Sequence, residues 1–217
     1  MVFSLVLLGW ILSLSLHEFA HALVAYWGGD WTVREKGYLT LNPLRYTHPV
    51  YSLILPLLFL LLGGIGLPGG AVYIETWRIR DRRWLTALSL AGPAANLLFA
   101  LFLSLILNLF PQIGGKTLGP ALAFLGLLQV SAVVLNLLPI PSLDGFAAIE
   151  PYLPLSFLER IAPYRQAFLW IFFLALVYLP FLNAIFWMGI IFLTVMLGFP
   201  PDLLARGYDQ FFFWRVW

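Results

Sequence analysis

The sequence contains no cysteine, so neither disulfide bonds nor thiolate metal ligands are available to it. Any bound metal must therefore be held by histidine and carboxylate side chains. Charged residues are also scarce, since they make up 10% of the 217 residues whereas apolar residues make up 62%. This composition excludes an ordinary water-soluble surface. It predicts an integral membrane protein whose solvent is mostly the lipid bilayer.

Basic residues are few and scattered. The chain has 12 of them against 10 acidic residues, in short clusters that could not follow a phosphate backbone, so we expect no nucleic-acid partner. The first 27 residues are apolar but have no basic leading region, and they contain His17 and Glu18. We interpret them as a retained span and not as a signal peptide.

Long apolar segments dominate the chain. A helix needs about 20 apolar residues to cross the hydrocarbon, because its backbone polar groups must be satisfied internally. Five segments meet or approach this length, the last of them after a tight turn: 1–27, 84–110, 118–138, 164–180 and 183–199. Residues 50–67 are also apolar, but Pro56 interrupts them and a glycine-rich run follows, so they form either a span or a re-entrant segment.

The predicted fold class is therefore an all-α polytopic membrane protein with a single membrane-embedded domain over residues 1–217. Its core takes up about residues 1–150, and a C-terminal helical hairpin and tail take up about 151–217. Residues 31–41 alternate weakly and are rich in Thr, Tyr and Val, which predicts a short membrane-associated β-hairpin around Lys36 and Gly37. The aromatic tail around Arg206 and Arg215 is typical of an interfacial belt.

His17, Glu18 and His21 form the motif H-E-x-x-H within the first apolar segment. In a helix, the i, i+4 spacing places both imidazoles on one face, as two ligands of a tetrahedral Zn²⁺ require. Glu18 then lies beside the metal and can accept a proton from water. The same pattern could be a chance histidine pair on a polar helix face. Ionisable side chains are costly inside lipid, however, so an intramembrane cluster indicates a functional site.

A catalytic zinc usually has three protein ligands and an open fourth position, so a third ligand is needed. Asp144 is the best candidate, because Pro139 and Pro141 break the helix before it and leave backbone polar groups unpaired beside a carboxylate. Irregular backbone at membrane depth is tolerated where it lines protein or a wet cavity. The alternative is that the two prolines only end a helix and that Asp144 lies in a surface turn.

Three motifs in order resemble the site-2 protease family of intramembrane zinc metalloproteases. They are H-E-x-x-H in the first span, A-G-P-x-x-N ending at Asn96, and L-D-G around Asp144, which follows Asn136. The resemblance implies that Asp144 is the third ligand and that a three-helix core carries the site. It also implies that Asn96 and Asn136 hold an extended substrate strand or polarise its carbonyl. The implied substrates are single-pass membrane proteins, often already trimmed by another protease.

One segment departs from that family. Residues 40–44, T-L-N-P-L, resemble a branch in which a histidine and then Asp-Pro follow, whereas this chain has Tyr46 and His48-Pro49 there. We therefore do not assign His48 to the metal. The family's PDZ or CBS regulatory domains have no room in 217 residues, so substrate selection is expected to reside in the membrane-embedded part or in a partner.

Two other functions fit parts of the pattern. A membrane metal-ion transporter could use His17, His21 and Asp144 as a transient site, although no internal repeat of the kind many transporters have is visible. A catalytically silent scaffold could bind metal, but it would not need Glu18.

Topology follows from the position of the ligands in their segments. The two histidines and Asp144 each lie toward the C-terminal end of a span, so the two spans must run in the same direction to share a metal. This predicts that residues 50–67 are re-entrant. The tail then shares a side with most basic residues and with the metal, and basic residues mark the cytoplasmic side. We therefore expect a multi-pass protein of a prokaryotic cell membrane, with the active site nearer the cytoplasmic face.

Overall fold

The computed structural model describes residues 1–46 and 72–215, and these residues are largely helical, with no β-strand among them. The helices are α1 (Val2–Gly28), α2 (Thr32–Glu35), α3 (Arg82–Leu109), α4 (Leu118–Asn136), α5 (Asp144–Ile149), α6 (Leu155–Ile161), α7 (Arg165–Tyr178), α8 (Pro180–Met196) and α9 (Pro201–Phe211). Within the described residues, four segments are long and apolar enough to cross a membrane: Val2–Gly28, Arg82–Leu109, Leu118–Asn136 and Leu155–Tyr178. The prediction of a helical protein with several candidate membrane spans is confirmed for the described residues.

Helices α1, α3 and α4 pack together as the core, and α4 lies in its middle. Of the most apolar window of α4, 83% is buried, against 44% for α1 and 39% for α3. Close approach depends on small residues, since a Cβ on Gly9 of α1 would collide with the Leu125 side chain of α4. The core is filled by large apolar side chains such as Trp10 and Leu128. This tight three-helix unit holds the polar groups described below.

The ends of the core helices follow from local chemistry. α1 ends at Gly28, and the next residue, Gly29, has a φ of 123°, a value that residues with a side chain rarely adopt. α3 begins after Asp81, whose carboxylate accepts hydrogen bonds from the backbone N–H groups of Arg83 and Trp84. Arg80 N donates to Gly28 O at 3.0 Å, so the end of α1 and the start of α3 lie at the same end of the core, here called the Gly28 end.

The C-terminal part does not form the predicted helical hairpin. α7 begins at the Gly28 end, where Arg165 pairs with Glu150, and its buried Leu176 packs on Leu135 near the end of α4. A single residue, Leu179, separates α7 from α8. Its φ and ψ of −103° and 97° before Pro180 bend the chain, whereas an antiparallel helix pair needs a loop of about two to five residues.

α8 therefore continues toward the opposite end of the core, where Val2 lies, here called the Val2 end. After α8, the carbonyl oxygens of Leu197 and Gly198 accept hydrogen bonds from Ser104 and Asn108 of α3 at 2.5 and 3.0 Å. The tail reaches the first turn of α1, where the rings of Phe3 and Phe211 are 5.2 Å apart. The predicted placement of the tail on the side of the metal site is thus wrong.

The predicted β-hairpin around Lys36 and Gly37 is also wrong, because residues 32–35 form the short helix α2 and a turn follows. The Asp30 carboxylate accepts hydrogen bonds from the backbone N–H and the hydroxyl of Thr32 at 3.1 and 2.6 Å. These bonds favour a helical turn over an extended strand, although threonine is common in strands. Residues 50–67, predicted to be re-entrant, lie outside the described residues.

The revised course of the chain predicts which positions are reached from the same side of a membrane. The native chain has no cysteine, so single cysteines can replace exposed residues and be labelled with an impermeant thiol reagent in oriented vesicles. We expect Lys116→Cys and Gln210→Cys to label from one side, and Thr76→Cys and Ser156→Cys from the other. Labelling of positions 210 and 76 from the same side would contradict the placement of the tail.

Candidate metal centre

Two imidazoles on one face of α1 begin the site. His17 and His21 are one helical turn apart, are 5% and 8% exposed, and have their Nε2 atoms 3.0 Å from each other. Glu18 follows His17 directly and is 5% exposed. The i, i+4 spacing therefore places two nitrogen ligands side by side with a carboxylate next to them, as the sequence predicted.

Asp144 is brought to these histidines by the irregular segment after α4. This segment turns through Ser142, which has a positive φ of 82°, and Gly145 then packs directly on the backbone of Leu137, where a Cβ would not fit. As a result the Asp144 Oδ2 atom is 3.3 Å from His17 Nε2 and 3.6 Å from His21 Nε2. The alternative of a surface turn for Asp144 is not what the structure shows.

The spacing of these three atoms fits a tetrahedral zinc ion. Ligands bound at about 2.0–2.1 Å in tetrahedral geometry are about 3.3 Å from one another. The three observed separations are 3.0, 3.3 and 3.6 Å. Asp144 Oδ2 is buried and accepts no hydrogen bond from the described residues, so its lone pairs are free for a metal. The donor set, two nitrogens and one carboxylate oxygen, is that of catalytic zinc sites.

Gly92 of α3 provides the space beside these ligands. A Cβ built on Gly92 would lie 2.5 Å from His17 Nε2 and would also overlap His21 Nε2. Any side chain at this position would therefore press on the nitrogens that face the metal. The glycine of the A-G-P-x-x-N motif thus has a steric role that the sequence alone did not reveal.

The other nitrogen of each imidazole is held by α3. His17 Nδ1 is 2.6 Å from Asn96 Oδ1, and His21 Nδ1 is 2.7 Å from the Leu88 carbonyl oxygen. Such partners orient a metal-binding histidine and fix which nitrogen carries the hydrogen. Both contacts leave Nε2 of each ring directed toward the space that the three ligand atoms share.

A cavity of about 490 Å³ opens onto this group. Glu18, Ser89 and Ala147 line it together with the three ligand residues, and the segment 72–76 forms one wall. Val72 N donates a hydrogen bond of 3.2 Å to Glu18 Oε2. The cavity therefore exposes the metal site and the Glu18 carboxylate to the same space.

The wall of this cavity is fastened to the end of α1 by ionic and polar contacts. Asp30, which is fully buried, accepts a hydrogen bond of 2.7 Å from Glu75 N. The Glu75 carboxylate in turn binds Arg78 at 2.6 Å and Lys36 at 3.0 Å, and these two cations hold its pKa below the usual value. Sequence analysis missed this arrangement, because nothing near residues 72–75 connects them with Asp30, some 45 residues earlier in the chain.

The remaining predicted site residues are placed as follows. Asn96 is 3% exposed behind His17, and Asn136 is 2% exposed at the C-terminal end of α4. Neither lines the cavity, and their roles toward a substrate stay predictions. His48 lies outside the described residues. Within those residues, His17, His21 and Asp144 form a group whose ligand atoms all lie within 4.8 Å of one another.

Comparisons with known proteins agree with this chemistry. The chain is 46% identical over 216 residues to a Mycobacterium tuberculosis protein named "Putative zinc metalloprotease Rip2", and 46% identical over 223 residues to its namesake in Mycolicibacterium smegmatis. Each match covers all of this chain and 83% of the relative. A Bacillus subtilis protein named "Putative zinc metalloprotease YwhC" is 30% identical over 188 residues, which cover 82% of this chain and 81% of the relative.

No protein-family model matches the chain, and no solved structure matches it. The matches to the two Rip2 proteins nevertheless extend over the whole chain at 46% identity. This chain belongs to the zinc metalloprotease family of Rip2 and YwhC.

Proposed function

We propose that the protein is a zinc-dependent intramembrane endopeptidase, which hydrolyses peptide bonds in or near transmembrane segments of membrane proteins. The observation that carries the proposal is the convergence of His17, His21 and Asp144 on one point, with Glu18 beside them, inside a bundle of apolar helices. The names of the relatives support the protease activity. The three motifs shared with the site-2 protease family support the intramembrane location of cleavage.

The roles of the residues follow from their positions. His17, His21 and Asp144 would hold the ion, which supplies a Lewis acid for the scissile carbonyl and acidifies a water. Glu18 faces the same cavity and accepts the proton of the attacking water, and it later gives a proton to the leaving amine. The Val72 N–H bond to Glu18 Oε2 orients this carboxylate and leaves Oε1 for the proton transfer.

The proposed substrates are single-pass membrane proteins. A peptide bond within a transmembrane helix has its carbonyl hydrogen-bonded inside the helix, so the helix must unwind locally before water can attack. The cavity has room for such an unwound segment but not for a folded domain. The family resemblance implies that Asn136, at the end of α4, helps to hold the segment; Asn136 does not line the cavity, so this role stays a prediction.

The proposed location is a prokaryotic cell membrane, with the active site nearer the cytoplasmic face. Nine of the 12 basic residues lie at the Gly28 end, the end nearer the ligands: Arg34, Lys36, Arg45, Arg78, Arg80, Arg82, Arg83, Arg160 and Arg165. Three lie at the Val2 end: Lys116, Arg206 and Arg215. The excess of basic residues supports the proposal that the Gly28 end is cytoplasmic, although the tail lies at the other end.

The test is a cleavage assay with the full chain purified in detergent. Zinc content is measured first, and the protein is then incubated with a panel of single-pass segments with and without a zinc chelator. We expect about one zinc per chain, and cleavage that the chelator abolishes and added zinc restores. Zinc binding with no cleavage of any segment would favour a transporter or a silent scaffold, and zinc flux in proteoliposomes would separate these two.

A further inference from the structure

A hydrogen-bonded network of buried polar side chains connects all three core helices and ends at His17. Ser13 lies on α1, Asn96 on α3 and Gln129 on α4, and they are 0%, 3% and 0% exposed. Asn96 Nδ2 is 2.9 Å from Ser13 Oγ and 2.9 Å from Gln129 Oε1, and Ser13 Oγ donates to Gln129 Oε1 at 2.5 Å. Polar side chains at this depth are costly, so a connected set that reaches a ligand residue requires a reason.

The direction of every hydrogen bond in this network follows if His17 binds the metal through Nε2. A nitrogen that binds a metal carries no hydrogen, so the ring hydrogen of His17 must be on Nδ1 and must meet an acceptor. The atom found there is Asn96 Oδ1, at 2.6 Å. With its oxygen turned to His17, Asn96 must turn its amide nitrogen to Ser13 and Gln129, and both of these offer an oxygen.

The side-chain amide of Gln129 is oriented to match the amide of Asn96. Its Oε1 accepts two hydrogen bonds, one from Ser13 and one from Asn96, whereas its Nε2 is buried and has no partner among the described residues. A buried unpaired donor costs on the order of 1–3 kcal/mol. The opposite orientation of the glutamine would place its Nε2 against the Asn96 nitrogen, where two donors would face each other. The double-acceptor orientation of Gln129 is therefore linked to the orientation of Asn96.

We propose that Asn96 is a positioning residue for His17, held in its orientation by Ser13 and Gln129, and that this group sets the affinity of the site for zinc. The proposal rests on the metal role of His17 in the proposed function. It differs from the role that the family resemblance implies for Asn96, which is to bind the substrate. The oxygen and the nitrogen of this amide are both used within the protein, and Asn96 does not line the cavity.

The first test measures the zinc dissociation constant of the full chain by chelator competition, which needs no substrate. We expect Asn96→Ala to weaken zinc binding by about 10–100-fold, the usual effect of removing the partner of a metal-binding histidine. Asn96→Asp keeps an oxygen acceptor for His17 Nδ1, so it should restore most of the affinity. Gln129→Leu should weaken binding less than Asn96→Ala, because Asn96 remains but loses one of its two acceptors.

A matched control separates this effect from a general loss of packing. Ser104 is also a buried polar residue of α3, and its hydroxyl binds Leu197 O at the Val2 end, away from the metal site. Ser104→Ala should leave the zinc dissociation constant unchanged. Thermal unfolding of the metal-free proteins provides the fold readout. We expect the Co²⁺-substituted Asn96→Ala protein to differ from the parent in its visible spectrum, and the Ser104→Ala protein to match the parent.

The outcomes are distinct for the proposal and for the protease function. Zinc affinity within twofold of the parent in Asn96→Ala, with a raised KM for a cleaved segment, would overturn the proposal and assign Asn96 to the substrate. Equal weakening in Asn96→Ala and Asn96→Asp would also overturn it, since the acceptor would then not matter. If the parent binds zinc but cleaves nothing, the protease function fails, while the affinity measurements still decide the role of Asn96.

Discussion

Replacement of Glu18 by glutamine is expected to lower the cleavage rate by about 10²–10⁴-fold, the usual contribution of a general base. Glutamine has the same shape and can still accept the hydrogen bond from Val72 N, but it cannot take a proton from water. Zinc binding should be retained, because His17, His21 and Asp144 are unchanged. The measurement is the rate of cleavage of a single-pass segment, together with the zinc content of the same preparation.

The control for this substitution is Glu159→Gln. Glu159 is an exposed carboxylate on α6, and its loss should leave both cleavage and zinc unchanged. Full cleavage activity in Glu18→Gln would remove Glu18 from the mechanism, since no other carboxylate apart from the ligand Asp144 lines the cavity among the described residues. Loss of zinc together with loss of cleavage would instead show that Glu18 acts on the metal site itself.

Replacement of Asp144 by alanine is expected to weaken zinc binding by more than about 100-fold, which exceeds the usual effect of altering a residue outside the ligand set. The carboxylate is the anionic member of the site, and its Oδ2 atom lies 3.3 and 3.6 Å from the two imidazole nitrogens. Without it, two neutral imidazoles would hold a divalent cation in an apolar surrounding. The zinc dissociation constant of the purified variant checks this, and cleavage should be lost with the metal.

Asp202→Ala is the matched control, because Asp202 is an exposed acid on α9 that pairs with Arg206 alone among the described residues. Full zinc content and full activity in Asp144→Ala would show that the third ligand lies elsewhere. Glu35 and Glu75 would then be the next candidates for the third ligand. The Glu75 carboxylate is already bound by Arg78 and Lys36, so the structure does not offer it to the metal.

The metal site could be predicted from the sequence because its two parts are local. The histidine spacing depends only on helix geometry, and the prolines before Asp144 mark a break that places a carboxylate at membrane depth. The spans were predictable for a similar reason, since length and hydropathy are properties of single segments. What joins α1 to α5 is α3, which packs against both of them, and no local pattern in the sequence expresses that contact.

The errors came from features that depend on contacts between distant residues. The sequence predicts a tight turn between the segments 164–180 and 183–199, but α8 already begins at Pro180 and the single residue Leu179 bends the chain. Thr32 and Val33 have side chains that favour strands, but the hydrogen bonds from Thr32 to the Asp30 carboxylate favour a helical turn there. The segment 72–76 has no pattern of its own, and its place at the cavity depends on Asp30 and Glu18.

The structure explains why the A-G-P-x-x-N motif has a glycine and an asparagine at these positions. Two positions of the motif have separate roles on one helix. Gly92 makes room for the ion between two imidazoles, and Asn96 meets the back of His17 one turn later. Pro93 lies inside α3 and has no backbone N–H, so the helical hydrogen bond to the Ser89 carbonyl oxygen is not made. Ser89 lines the cavity.

The position of α4 has a consequence for biogenesis. Its mean hydropathy of 2.0 suits a helix surrounded by lipid, yet in the finished protein nearly all of it is covered by other helices. Synthesis proceeds from the N-terminus, so α1 and α3 are made before α4. The residues that cover the other side of α4, such as Phe199 and Phe211, are made about 60 residues or more later. During that interval this side of α4 faces lipid. Its apolar residues are therefore surrounded first by lipid and later by the packed protein interior. A polar substitution there would act on membrane insertion before it acted on the folded protein.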